Sequence, residues 1–362
     1  MFTFILPFLA FGLAFAITSL LLPEIIKIAN RYGLQDVPNA RKVHAHKIPT
    51  FGGMAIFFGF VMASLLSTFA DLDTTIQYFL CGILVVVVIG MRDDFLALSA
   101  KWKFLGQLLA AFLLVHFGEM RLLNINGLFG LHALPFVLDY GLSLFIIVGI
   151  TNAFNLIDGV NGLAGTVSLV VLSFLGAWFF WADVLVLSIF CFSLVGGIIA
   201  FLRFNYTPAR IFMGDTGSLL LGFTISGMIF LFLRHNASSQ IFGAAHVPSF
   251  ISAGLVLILY PAFDTLRVFV LRIWEGRSPF SADQNHIHHL LLRLGLSHMQ
   301  VTGLIVSVQV ILITIFLILS KWGVNENYLV ASMVFTVLVV VGLLQLFHNR
   351  KYRYTKSSVK HA

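Results

Sequence analysis

Charge is scarce in this sequence. Only 10% of its 362 residues are Asp, Glu, Lys or Arg, and 15 of them are acidic, where soluble domains carry roughly 25% charge. A soluble enzyme is excluded on that ground, and disorder is excluded by a hydrophobic content of 59% and a mean hydropathy of +0.98. Cysteine is nearly absent: Cys81 and Cys191 both lie in apolar runs, which rules out a disulfide framework. The net charge of +7 comes without a basic stripe or RNA-binding motif, so nucleic acid is not an expected partner. No internal repeat, low-complexity linker or separate soluble domain is visible.

What is present is a series of long apolar runs, and 38 phenylalanines that suit a lipid-facing surface. A helix needs about 20 mostly apolar residues to cross a bilayer. About eleven segments qualify: 3–22, 51–70, 76–91, 104–117, 136–151, 163–181, 184–202, 217–233, 249–271, 301–320 and 327–347. The fourth and fifth are short, so ten is the alternative count. The expected fold is an all-α polytopic membrane protein. Residues 1–347 form one transmembrane catalytic domain, and 348–362 a basic cytoplasmic tail. The first segment lacks a basic leader and reads as an uncleaved span. Of the 22 Lys and Arg, all but Arg121, Arg234 and Lys321 fall in one alternate set of loops. The positive-inside rule then puts the N-terminus outside and the C-terminus in the cytoplasm. Anionic membrane lipids are a secondary partner for this charge.

Acids near spans are expensive and invite a functional reading. Asp93, Asp94, Asp158, Asp215 and Asp264 share the cytoplasmic set, whereas Asp71, Asp73, Glu119, Asp183 and Glu326 read as solvated external turns. Four motifs hold the polar chemistry. Asp93 and Asp94 close the third segment, with Lys101 and Lys103 in the following loop. An acid pair can bind a divalent metal or take a proton, and lysines can hold phosphate; a solvated loop of mixed charge is the plain alternative. Asn152, Asn155 and Asp158 recur every three residues, which keeps them within about one third of a helix circumference. Asn161, Gly159 and Gly162 follow. Such a face suits a ligand better than a polar seam between helices. Asp215, in Phe212-Met213-Gly214-Asp215, opens the eighth segment as an N-cap or as a metal ligand beside an anion-binding turn. Last come His286, His288 and His289, with Arg272 and Arg277 upstream. Without a neighbouring cysteine, and with Asp and Asn elsewhere, these histidines read as donors to phosphate or sugar more readily than as a zinc site. The hard oxygen set favours Mg²⁺ or Mn²⁺. Asp264 and Arg267 read as an ion pair within a span. Lys47, among Arg41, Lys42, His44 and His46, belongs to a basic loop that serves either as an anion wall or as a lipid-facing surface.

Together these motifs equip one face to move a phosphoryl-type group from a soluble donor to a membrane acceptor. In this order they resemble the polyprenyl-phosphate N-acetylhexosamine-1-phosphate transferase family, which includes the MraY translocase and the WecA and TagO enzymes. The Ser278-Pro279-Phe280 and His286-Ile287-His288-His289 stretch resembles the WecA/TagO branch. The resemblance implies transfer of GlcNAc-1-phosphate from UDP-GlcNAc to undecaprenyl phosphate, with UMP released, at a Mg²⁺- or Mn²⁺-dependent site on the cytoplasmic face of a bacterial inner membrane. It makes Asp215 the leading metal ligand, with Asn155 and Asp94 completing the candidate set and Asp158 also beside the metal. Lys103 would take the diphosphate and Phe212 the uracil; Asp93 or Asp94 would orient or deprotonate the acceptor. The histidines, with Arg277, would read sugar and phosphate, and Lys47, Asn152 and Asn161 would line the substrate. Direct displacement is favoured over a phosphoryl-aspartate, because an acceptor phosphate is already ionised. UDP-MurNAc-pentapeptide or another UDP-N-acetylhexosamine is the alternative donor, and an ion-coupled transporter the rival of another class. The oligomeric state, a homodimer included, and the polysaccharide made downstream stay open.

Overall fold

Apolar runs of this length have no water at hand for their amide groups, so each must close its hydrogen bonds internally as a helix. The computed structural model describes residues 2–34, 48–68, 72–122, 125–237, 246–278 and 285–342. Its helices are α1 (Leu6–Tyr32), α2 (Gly52–Ser67), α3 (Thr74–Phe95), α4 (Ala100–Phe112), α5 (Phe136–Ile157), α6 (Leu163–Trp181) and α7 (Leu185–Asn205). They continue with α8 (Gly214–Ala237), α9 (Phe250–Leu257), α10 (Leu259–Trp274), α11 (Ile287–Arg293), α12 (His298–Lys321) and α13 (Glu326–Gly342). No strand occurs among the described residues. The chain is an all-helical polytopic membrane protein. Among the described residues seven helices are long and apolar enough to span alone, and an eighth if α9 and α10 count as one. The eleven segments expected from sequence overlap helices among the described residues, but the ninth, 249–271, is broken between α9 and α10. The short fourth one is completed by a π-turn at Leu113–Phe117, while α2 and α13 are shorter apolar helices.

Helix α8 is the axis of the bundle, buried along almost its whole length and packed by α2, α3, α5, α6 and α9. Glycine lets its neighbours close in. A Cβ on Gly53 would stand 2.1 Å from the Gly217 backbone nitrogen, and one on Gly90 would stand 2.5 Å from the Thr216 Cα. The starts of α2 and α8 and the end of α3 therefore share one small volume.

A bend of 70° separates α9 from α10. Pro261 explains it: the ring has no N–H and collides with the carbonyl four residues earlier, that of Leu257. That carbonyl takes a hydrogen bond from Gln309 Nε2 on α12 instead, at 3.0 Å. The bend tilts α10 out of the line of α9, and an apolar cleft of ≈ 170 Å³ lies there, lined by Tyr260 and Ile287 and by residues of α12 and α13. Helix α12 itself starts on a capping box in which Ser297 and Gln300 satisfy each other's backbone N–H groups.

The opposite end corrects one expectation. Glu326 is not a solvated turn but 5% exposed. It accepts from the Ser252 N–H at 2.5 Å, the Ser252 hydroxyl at 2.7 Å and Asn126 Nδ2 at 2.7 Å. It thus caps α9 from a helix more than seventy residues away. Asp139 is also buried, beside Arg121 and Ser143.

Candidate active site

The site forms where the starts of α2, α4 and α8 meet the ends of α3 and α5. The first amides of α8 have no partner within their own helix. Asp94, from the end of α3, supplies one. Its Oδ1 accepts from Asp215 N–H at 2.7 Å, and its Oδ2 from Thr216 N–H at 3.0 Å and the Thr216 hydroxyl at 2.5 Å. Gly214 precedes this turn at φ +73, and a Cβ there would lie 2.0 Å from Thr50 O and 2.7 Å from Asp94 Oδ1. Asp94 is an N-cap delivered by another helix.

Asp93 and Asp215 are joined through Lys103, whose Nζ lies 2.7 Å from an oxygen of each. The second oxygen of Asp93 accepts from Leu98 N–H at 2.6 Å, which fixes the bend between α3 and α4.

The Asn/Asp run closes α5. Asn152 Nδ2 donates to Gln107 Oε1 at 2.5 Å, and Asn155 Nδ2 to Ser218 Oγ at 2.8 Å, tying α5 to α4 and α8. The Ser218 bond uses the Asn155 amide nitrogen; the Asn155 Oδ1 is an acceptor by chemistry. Asp158 sits just past the helix, and no group among the described residues donates to its carboxylate. Burial pushes its pKa well above the usual carboxylate range, and the nearby Asp215 and Asp94 charges push it the same way. Asn161 lies a step away: its Nδ2 donates to Thr207 and its N–H to His298. At Gly162, φ is +77, and its N–H donates to Asn205 at 2.7 Å.

The histidine loop reaches the same place. A Cβ on Gly159 would stand 3.2 Å from His288 Nε2 and 3.8 Å from His289 Cε1. His288 is fully buried, and burial drops its pKa to about 3, so the ring is neutral. His286 stacks on His288 with ring centroids 5.5 Å apart, and His286 Nδ1 lies 3.0 Å from Asp264 Oδ2. Asp264 and Arg267 do pair, at 3.1 Å. The pair is also the anchor of this loop, a role that their spacing alone did not reveal.

Phe212 is half-buried, and its N–H donates to Pro49 O at 2.7 Å, while Gly52 and Gly53 donate back to the carbonyls of Phe212 and Met213. The end of the basic loop is thereby laced to the α8 turn. Lys47 itself lies outside the described residues. Arg277 sits on the exposed surface past α10, where its Nε meets Glu275 Oε2 at 2.8 Å. Among the described residues no group of three His, Cys, Asp or Glu is arranged to hold a metal.

Fold and site define a membrane-embedded protein with an acid, amide and lysine cluster at one end of its bundle. A glycosyl transferase family 4 model matches residues 76–233, the stretch from α3 to α8 that carries most of the cluster. The chain is 34% identical over 334 residues to a Bacillus subtilis protein named "Probable undecaprenyl-phosphate N-acetylglucosaminyl 1-phosphate transferase", covering 91% of this chain and 87% of the relative. It is 33% identical to the undecaprenyl-phosphate alpha-N-acetylglucosaminyl 1-phosphate transferase of Escherichia coli K12, covering 83% and 80%. The Yersinia pestis protein of that name is 30% identical, covering 91% and 92%. The chain belongs to glycosyl transferase family 4, as its motif order implied.

Proposed function

We propose that this protein transfers GlcNAc-1-phosphate from UDP-GlcNAc to undecaprenyl phosphate, giving undecaprenyl-diphospho-GlcNAc and UMP. The observation that carries the reading is the cluster itself. Lys103, Asp93, Asp215, Asp158 and Asn155 converge beside a histidine loop, in a chain whose relatives carry that activity in their names. In the reaction an oxygen of the acceptor phosphate attacks the β-phosphorus of the donor. The bond from that phosphorus to the bridging oxygen breaks, and UMP leaves with the electron pair.

Asp215 and Asp158 suit Mg²⁺ or Mn²⁺, with Asn155 Oδ1 beside them. Two carboxylates suffice for Mg²⁺, because substrate phosphates and water complete its shell. The undonated Asp158 carboxylate fits that role. The metal supplies charge neutralisation across the donor diphosphate. Asp94 acts by holding the Asp215 turn. Lys103 gives its third N–H to the diphosphate. Phe212 offers a ring face for uracil, and His288 Nε2 and His289 meet the sugar or its phosphate. The occupied oxygens of Asp93 and Asp94 support direct displacement over a phosphoryl-aspartate. A lipid acceptor is supported by the apolar cleft, whose lining residue Tyr260 has its hydroxyl 3.5 Å from His288 Nδ1. The count of eleven spans and the cytoplasmic site are supported by the alternation of Lys and Arg along the sequence.

The test is UMP release by purified protein offered undecaprenyl phosphate, Mg²⁺ and either UDP-GlcNAc or UDP-MurNAc-pentapeptide. Release from UDP-GlcNAc is expected; release from the pentapeptide donor alone would overturn the sugar assignment.

A further inference from the structure

Asp264 is 0% exposed, on an apolar helix, and commits both its oxygens to a loop more than twenty residues away. Oδ1 accepts from the Ile287 N–H at 2.9 Å and from Arg267 Nη2 at 3.1 Å, and Oδ2 lies 3.0 Å from His286 Nδ1. Arg267 neutralises the carboxylate and also donates to the Asn285 carbonyl, so the pair grips the loop on both sides of His286. An ion pair that merely allowed α10 to carry charge would need none of these contacts to the loop.

We infer that Asp264 is a positioning residue for the transfer reaction, acting through His286. An ionised carboxylate only accepts, so the nitrogen of His286 facing it carries a proton, and in the neutral ring Nε2 is the acceptor. The Ile287 contact fixes the first turn of α11. That turn sets His288, whose Nε2 has no partner among the described residues and lies against Gly159, next to Asp158. His286 and His288 stack almost parallel, at 10°, so turning one ring displaces the other. The role rests on the transferase reading above.

The test uses the full-length protein in detergent with Asp264→Asn, Asp264→Glu, His286→Gln and the Asp264→Asn/His286→Gln double variant. Asn keeps an oxygen for Ile287 N–H but turns an amide donor toward His286, which favours the other tautomer. Orienting groups of this kind are worth about 10–100-fold in activity, so Asp264→Asn should lose that much kcat at nearly unchanged donor KM in assays run well below its Tm, which falls because Arg267 loses its counter-charge. Asp264→Glu should recover part of it. The double variant should be no worse than His286→Gln, because the two residues act as one unit. The ¹⁵N resonances of labelled histidine, assigned by their loss in His286→Gln, should show His286 protonated at Nδ1 in the wild type and shifted in Asp264→Asn. An Nδ1 of His286 without a proton in the wild type, multiplying losses in the double variant, or an Asp264→Asn protein that keeps wild-type kcat while folded would overturn the inference. A folded wild type without transfer activity would overturn the transferase reading instead, and the tautomer measurement is independent of it.

Discussion

Replacing Asp94 with alanine should loosen the first turn of α8 and displace Asp215 with it. Three hydrogen bonds go at once, at 2.7, 3.0 and 2.5 Å. Hydrogen bonds to charged groups contribute about 1.5–3 kcal/mol each, but three to one carboxylate do not add. A lost N-cap costs about 0.5–2 kcal/mol. Asp94 is only partly buried, so water refills some of the gap. The expected loss is about 2–4 kcal/mol. Asp94→Asn keeps one acceptor oxygen and should lose roughly half as much. Both variants should lose turnover, since a displacement of 1 Å at a reacting group costs about 10²-fold. Thermal unfolding in detergent and UMP release on the same preparations separate the effects. Tm should fall in the order wild type, Asn, Ala, with activity falling in parallel. An Asp94→Ala protein with wild-type Tm and no activity would refute the capping argument and place Asp94 on the substrate.

Four other outcomes follow from the geometry. Gly53→Ala places a methyl 2.1 Å from the Gly217 nitrogen; it should separate α2 from α8, cost about 1–3 kcal/mol and leave little folded protein by size-exclusion chromatography. Lys103→Gln leaves Asp93 and Asp215 without their shared cation. It should lower kcat/KM for UDP-GlcNAc by about 10–100-fold, with no rescue by arginine, whose planar fork does not fit a point between two carboxylates. Asp158 holds its proton to higher pH when folded than when unfolded. Its contribution to stability is therefore present below the ordinary aspartate range and lost as pH rises toward the folded pKa. Divalent metal bound at the carboxylates would favour the ionised form, so Mg²⁺ at a hundredfold excess over Kd should stabilise the fold by about 2.7 kcal/mol at pH 8 and raise Tm less at pH 5, where protons compete. Equal shifts at both pH values would count against metal binding there. Glu326→Gln weakens the cap on α9 and should lower Tm while leaving the KM values of the folded enzyme unchanged.

The helices were legible because bilayer length and hydropathy are local properties, although the segment expected at 249–271 is broken into α9 and α10. The spacing of Asn152 and Asn155 was legible for the same reason, as a property of one helix, while Asp158 stands just past its end. Relations between helices were not. Nothing near Asp94 marks it as the cap of a turn 121 residues later, and nothing near Glu326 points to the start of α9. Asp264 and Arg267 are three apart and do pair, and their more telling contacts, with His286, Ile287 and Asn285, depend on a loop that folds back. The break at Pro261 is visible as a proline in an apolar run, but its relief by Gln309 is a tertiary event. Small residues gave a partial signal: Gly52, Gly53, Gly90 and Gly217 mark the places where helices touch, without saying which touches which.

The most direct measurement is the mass of the lipid product. Purified protein, UDP-GlcNAc, undecaprenyl phosphate and Mg²⁺ should give undecaprenyl-diphospho-GlcNAc with stoichiometric UMP, and Asp215→Asn, folded to the same Tm, should give neither. A folded wild type that forms no such lipid with metal and both substrates present would contradict the account.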